Sequence, residues 1–268
     1  MKLSFIIVNY KSRNYLDNCL FSIGENVKEI DFEIVIVNSD KEKISNLKDD
    51  NLKEKIKILE FNQNVGFGKA NNYGVKNCSG DILCLLNPDT EIISGDIGKI
   101  LKIFEERKEI SVIGPKIVEK NSNGRYVVQN WNQGFDLNIF ELLRSKFGFS
   151  KSRKIWQSET QMSVDWVGGA CMFFRTSDFL EINGFDEKIF LYYEDVDICK
   201  RIKLLNKRVL YYPDFQVLHW GGKSEENISK RKKEYFLSQD YYYRKWFGKF
   251  SQFLLKFLRF FYAWRYKN

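Results

Sequence analysis

The chain predicts an α/β fold, a mainly parallel sheet with helices crossing between its strands. Three observations carry this. Short, nearly continuous apolar runs rich in β-branched residues recur at 3–9, 32–37, 56–61 and 82–86, as strands covered on both faces require. Segments of helical periodicity or composition separate several of these runs, the pattern of a parallel sheet with crossover helices. Finally, 44% of the 268 residues are hydrophobic, enough to core one large domain with an appendage.

Taken in order, Leu3–Asn9 (LSFIIVN) is a buried strand. Ser12 is placed to cap the following helix, whose Leu16, Cys19, Leu20 and Ile23 fall at i, i+3, i+4 and i+7. Runs 32–37 and 56–61 are the next strands. After a loop holding Gly66, a short helix continues through Val75 and stops near Gly80, and Ile82–Leu86 is again a buried strand. Residues 121–159 are less regular, with one helix around 137–143. Strand character returns at 164–174, a short helix at 177–182 ends at Gly184, and 194–205 is helical with Ile198, Ile202 and Leu205 on one face. Two short strands, 209–212 and 215–218, complete a domain spanning 1–225.

The remaining 226–268 form a helical extension without proline and with a single glycine, Gly248. Phe250, Phe253, Leu254, Phe257, Leu258, Phe261 and Trp264 fall on one face, with Lys256, Arg259, Arg265 and Lys267 supplying positive charge. Such a basic amphipathic helix suits a membrane interface, and equally suits packing on its own domain or on the second subunit of a homodimer.

The net charge of +8 and pI near 9.0 favour an anionic partner: nucleotide phosphate, acidic lipid or nucleic acid. Charged residues at 29% exclude a membrane-embedded bulk, and no run reaches the ~18 uncharged apolar residues of a membrane-spanning helix. The apolar run 5–8 is too short for a secretory leader. The five cysteines are odd in number and form no CxxC pair, which fits a reducing compartment. A cytoplasmic protein is expected, peripheral at the inner face of the membrane if the extension binds lipid.

In sheets of this class ligands bind beyond the carboxyl ends of the strands, here Asn9-Tyr10, Asn38-Ser39-Asp40 and Asn87-Pro88-Asp89. Asp89 is either a turn former or a ligand to a hard divalent cation, Mg²⁺ or Mn²⁺. Glu194, Asp195 and Asp197 at a helix start complement its dipole, or supply a general base. The chain has one histidine, His219, at a strand end before two glycines, where a neutral imidazole could complete a coordination sphere begun by Asp89. Gly66 and Gly68, in NQNVGFGKANN, form part of a phosphate-cradling loop without a complete GxGxxG or Walker pattern.

Together IIVNY (6–10), NVGFGKANNYG (64–74), LLNPDT (85–90), VGGACMFFR (167–175), GFDEKIFLYYEDVDICKR (184–201) and HWGGKS (219–224) resemble glycosyltransferase family 2, and within it bacterial rhamnosyltransferase-like enzymes of surface polysaccharide synthesis. The resemblance implies a GT-A fold, Rossmann-like with a mixed central sheet, and an inverting single displacement from a nucleotide-sugar donor to a glycan or lipid-linked acceptor, with no nucleic acid involved. It implies Asp89 and His219 at the metal, Asp195 with its neighbour Glu194 as the catalytic pair, and Trp166, Gly168 and Gly169 along the donor sugar and acceptor. Nucleotide-sugar contacts are then expected from Asn9, Tyr10, Asn38, Asp40, Gly66, Lys69, Asn71 and Asn87, with Lys69 or Arg201 near the leaving charge. The second strand departs from the family's usual VDNxSxD, reading VNSD at 37–40, so either Asn38 replaces the nucleotide-contacting Asp or Asp40 serves. Two rival functions remain at this point: a nucleotidyltransferase, and a non-catalytic scaffold on a degenerate transferase fold.

Overall fold

The apolar runs form the strands expected of them. The computed structural model describes residues 1–45, 47–48, 50–146, 148–221 and 228–265. Its elements are β1 (Leu3–Asn9), α1 (Arg13–Asn26), β2 (Phe32–Asn38), β3 (Ile56–Glu60), α2 (Phe67–Val75), β4 (Ile82–Leu86), β5 (Thr90–Ser94), α3 (Ile97–Glu106), β6 (Ile110–Lys120), β7 (Tyr126–Val128), β8 (Gln133–Gly134), α4 (Ile139–Lys146), β9 (Met162–Val164), β10 (Trp166–Val167), β11 (Cys171–Arg175), α5 (Thr176–Glu181), α6 (Glu194–Leu204), β12 (Arg208–His219) and α7 (Ile228–Arg265).

The main sheet runs β3-β2-β1-β4-β11-β6-β12-β5, with β7 on β6 and β9 on β12. Strands β3, β2, β1 and β4 are parallel, while β11 is antiparallel to both β4 and β6. The sheet is therefore mixed. β1 lies between β2 and β4, where the chain order reverses, and the register Asn9↔Asn38 aligns two polar residues at the carboxyl ends.

Alternation along β1 divides the core. Leu3, Phe5 and Ile7 face α1 and α3, and Ile6 faces the layer of α2 and α6. The periodic residues of α1 (Leu16, Cys19, Leu20 and Ile23) are fully buried as their spacing requires, but Ser12 does not cap the helix; its hydroxyl donates to Tyr10 O at 3.1 Å. The expected strand 164–174 is three short strands, broken at Asp165, whose N–H turns to Gly134 O, and again at Gly168-Gly169. The two strands expected over 209–218 are one, β12, whose register on β6 shifts between Tyr212 and Gln216.

The expected domain boundary at 225 falls outside the described residues, and the helix beyond it shares the domain's core. Tyr242, Tyr243 and Leu255 are buried in the same cluster as Ile6 and Val196. α7 breaks at Gly248 (φ 81°), the left-handed conformation that glycine tolerates. The second arm returns along the first: Arg259 pairs with Asp240 and stacks over Phe236 at 4.7 Å, and Lys256 lies 3.4 Å from Asp240. This packing turns Leu255 inward and leaves Phe250, Phe253, Phe257 and Phe260 exposed. The side chains of Phe261 and Trp264, expected on the same stripe, lie outside the description, as does Lys267.

Candidate active site

The carboxyl ends of β1, β2 and β4 open into a cleft of about 560 Å³. It is lined by Tyr10 and Ser39 after the first two strands, Asn64 and Gly66 before α2, Asn87 and Asp89 after β4, Gln129, Tyr192, His219, and Lys230 and Arg231 from α7.

Antiparallel pairing of β5 with β12 sets His219 opposite Thr90, so Asp89 and His219 meet at neighbouring strand ends. The Trp220 N–H donates to Asp89 O at 2.9 Å, and Trp220 Nε1 to Glu91 at 2.8 Å, fixing both segments. His219 Nε2 lies 3.4 Å from Asp89 Oδ1, while its Nδ1 lies 2.9 Å from Gln129 Oε1. An amide oxygen accepts, so Nδ1 carries the hydrogen, and a neutral imidazole would then present its Nε2 lone pair to the carboxylate. A lone pair and a carboxylate directed at one another suit a cation between them. Among the described residues no third His, Cys, Asp or Glu joins them. Two protein ligands are what Mg²⁺ or Mn²⁺ takes when phosphate oxygens and water complete its shell.

Asp195 opens α6 in a strained turn. Tyr192 (φ 69°) and Tyr193 (φ 68°) are consecutive non-glycine residues in the left-handed region, each costing on the order of 1–3 kcal/mol. The turn is held by α7: Ser238 Oγ donates to Leu191 O at 2.7 Å and Gln239 Nε2 to Tyr193 Oη at 2.6 Å. Asp195 accepts the Gly169 N–H at 3.1 Å and the Val196 N–H at 2.8 Å. Burial raises its pKa above the ordinary carboxylate value despite these donors. Next to it Glu194 is buried, and its Oε2 has no hydrogen-bond partner among the described residues. Burial first, then the charge of Asp195, pushes Glu194 up to about 8. The pair thus favours a proton on Glu194 and the charge on Asp195, which has the two backbone donors, the form that could accept a hydroxyl proton.

Asp195 is not among the cleft-lining residues. It reaches the cleft's edge through Gly169, which packs against both Asp195 and the cleft-lining Phe67. The adjacent Ala170 O accepts the Asn87 N–H at 2.9 Å, so one dipeptide joins the Asp195 carboxylate to the strand end that bears Asp89.

Several expected contacts are placed otherwise. Trp166 is buried, its Nε1 donating to Phe135 O at 3.0 Å, and Gly168 N bonds Asn132 O at 2.6 Å; neither lines the cleft. The Asn71 amide is spent on Phe67 O inside α2, and Lys69 on that helix is exposed and does not line the cleft. Arg201 is held by Asp197 and by the carbonyls of Ile182 and Gly184 and does not line the cleft. Asn38 is fully buried: its oxygen takes the Asn9 amide at 2.8 Å and its nitrogen donates to Glu42 O and Glu60 Oε2, both at 2.7 Å. Asp40 accepts the Lys11 N–H at 2.9 Å and does not line the cleft. Neither alternative for the missing VDNxSxD aspartate therefore lines it; Ser39 does, and its buried Oγ has no partner among the described residues. Tyr10, Gly66, Asn87, Asp89 and His219 line the cleft, and Asn9, whose buried Oδ1 has no partner among the described residues, precedes Tyr10 in the chain.

Gln129, Tyr192, Lys230 and Arg231 were not singled out from the sequence. Tyr192 lies inside the FLYYEDVD motif; the other three carry no local signal.

Comparisons with known proteins establish the family and the fold that carry this cleft. The sequence profile described as "Glycosyl transferase family 2" matches residues 4–178. Rhamnosyltransferase WbbL of Escherichia coli is 28% identical over 187 residues, 66% of this chain and 69% of its own length. The low-salt glycan biosynthesis hexosyltransferase Agl10 of Haloferax volcanii is 30% identical over 76% of this chain, which spans 62% of that relative. Among solved structures, GalNAc-T7 with UDP, GalNAc and Mn²⁺ superposes with a TM-score of 0.62 at 17% identity, over 91% of this chain and 50% of its own. Staphylococcus aureus TarS 1-349 with UDP gives 0.52 at 20% identity, over 81% of this chain and 60% of its own. At such identities these structures establish the fold.

Proposed function

The chain belongs to glycosyl transferase family 2, a GT-A glycosyltransferase of glycan or polysaccharide biosynthesis, and from that premise we propose that it is an inverting, metal-dependent enzyme transferring a deoxyhexose or hexose from a nucleoside-diphosphate sugar to a glycan or lipid-linked hydroxyl. The observation that carries the reading is the linkage of two chemistries through Gly169-Ala170: a carboxylate poised as base at Asp195, and a cation-ready pair at Asp89 and His219. When bound, Mg²⁺ or Mn²⁺ would supply positive charge to the departing diphosphate. Asp89 and His219 would hold it, with Gln129 fixing the imidazole tautomer. Asp195 would take the acceptor proton, while Glu194, protonated and buried, keeps a second negative charge from forming beside it.

The relatives' names favour rhamnose: WbbL is a rhamnosyltransferase, and a Mycobacterium tuberculosis relative, 25% identical over 61% of this chain, is an N-acetylglucosaminyl-diphospho-decaprenol L-rhamnosyltransferase. A lipid-linked acceptor accords with the exposed Phe250, Phe253, Phe257 and Phe260, on an arm bearing lysine and arginine but no acidic residue from 249 onward. We read this stripe as seating the enzyme on an anionic membrane surface. No helix among the described residues is long and apolar enough to cross a bilayer. Phe253→Ser with Phe257→Ser should abolish flotation with anionic liposomes; undiminished flotation rejects that seating.

The transfer itself is tested by incubating the purified chain with dTDP-rhamnose and a panel of UDP-sugars, with and without Mn²⁺, and identifying the phosphate product. Release of dTDP or UDP that requires Mn²⁺ and is lost in Asp89→Ala supports the reading. Release of inorganic diphosphate instead makes the protein a nucleotidyltransferase, and binding without turnover makes it a scaffold.

A further inference from the structure

A cation held by Asp89 and His219 would supply one source of positive charge in the cleft, and helix α7 contributes another. Besides His219, the cations among the described cleft-lining residues are Lys230 and Arg231, in the first turn of α7. Of the other cations considered for this role, Arg201 sits in its Asp197 cluster and Lys69 on the exposed face of α2, and neither lines the cleft. Lys230 and Arg231 are tied to the site by their helix. Arg231 Nε approaches Tyr192 Oη at 3.4 Å, and two turns on, Ser238 and Gln239 anchor the same arm to Leu191 and Tyr193. Tyr192 itself lines the cleft, so the cations and the strained turn before Asp195 form one unit. Asp89, Glu119 and Glu234 also line the cleft and limit its net charge.

We propose that Lys230 and Arg231 are a diphosphate-binding element, working beside the metal pair to hold a doubly charged phosphate chain in the cleft. A guanidinium and an ammonium on one helical turn offer several donors to non-bridging phosphate oxygens, and such charge-assisted bonds are strong where water is partly excluded. The transferase reading supplies two sources of this chemistry, the nucleotide donor and a lipid diphosphate acceptor.

The test compares three forms of the full chain: wild type, Lys230→Met/Arg231→Met, and the control Lys232→Met/Lys233→Met, which removes equal charge from neighbouring exposed positions that do not line the cleft. Calorimetric titrations use inorganic diphosphate without metal, UDP and dTDP with Mn²⁺, and geranyl diphosphate. The cleft variant should lose roughly tenfold or more in affinity for inorganic diphosphate, with the control near wild type. A parallel loss for UDP or dTDP assigns the cations to the donor; a loss shared by inorganic and geranyl diphosphate but not by UDP or dTDP assigns them to the acceptor. Equal weakening in both variants, or none in the cleft variant while its melting temperature is unchanged, overturns the proposal. Should wild type bind inorganic diphosphate but no nucleotide, the donor reading fails while this one stands.

Discussion

The Gly169 N–H donates to Asp195 Oδ2 at 3.1 Å, and the carbonyl of the next residue holds the strand end that leads to Asp89. The interruption between β10 and β11 is thus a strut between two chemical groups. Asp195→Asn keeps an oxygen acceptor for Gly169 and removes the basicity. Transfer should fall by about 10²–10⁴-fold while the affinity for nucleoside diphosphate stays within about twofold. Single-turnover rates and calorimetry on the same preparation check this; a parallel loss of both makes the residue a scaffold for the loop.

Glu194 gives a pH signature. Its pKa rises from 4.5 in the unfolded chain to about 8 in the native one, so the folded state holds the proton more tightly. Stability then declines as pH climbs through the interval between those values, where the unfolded chain ionises first. Glu194→Gln removes the ionisation. Its advantage over wild type should be near zero at the acid end, grow up to pH 8 and level off beyond, reaching on the order of 2–5 kcal/mol. Urea denaturation from pH 5 to 9 measures it; a constant offset would place the shift elsewhere.

Asp197 is fully buried and bonds Arg201 at 2.8 Å, Lys245 at 2.7 Å and Trp246 Nε1 at 2.8 Å. Truncation leaves two cations without their common partner. Asp197→Ala should cost about 3–5 kcal/mol in urea denaturation. A cost below about 1 kcal/mol would mean that solvent already screens the cluster.

Gln129 touches the proposed metal pair through His219 Nδ1. Gln129→Leu leaves that nitrogen without its acceptor and the imidazole free to turn. Mn²⁺ affinity measured in the presence of UDP should fall by roughly 10-fold or more, without the complete loss expected of His219→Ala. Unchanged affinity would remove Gln129 from the site.

The parallel half of the sheet and its ligand edge were legible because the signals there are local: a continuous apolar run followed by a polar tripeptide marks β1, β2 and β4. Residues 90–120 were not. They form β5, α3 and β6, and β6 is buried from Ile110 to Val118 between β11 and β12, yet Gly114, Pro115 and Lys116 interrupt its apolar run. Gly114 is needed there, since a Cβ would meet Val167 at 2.4 Å, a long-range contact with no trace in the local pattern. Asp89 and His219 could each be singled out from motifs; their pairing depends on the β5–β12 register. Trp166 misled because it adjoins the glycines that do approach Asp195, while its own strand pairs with β8 and turns the indole into the core.

The tandem of left-handed tyrosines before Asp195 has a mechanical meaning. Neither backbone would settle there by preference, and the restraint comes from Ser238, Gln239 and Arg231, all on one distant helix. The turn is a latch under tension whose catch is that helix. If the helix lifts, the turn can relax and Asp195 loses its aim, so whatever displaces that helix also reaches the proposed base.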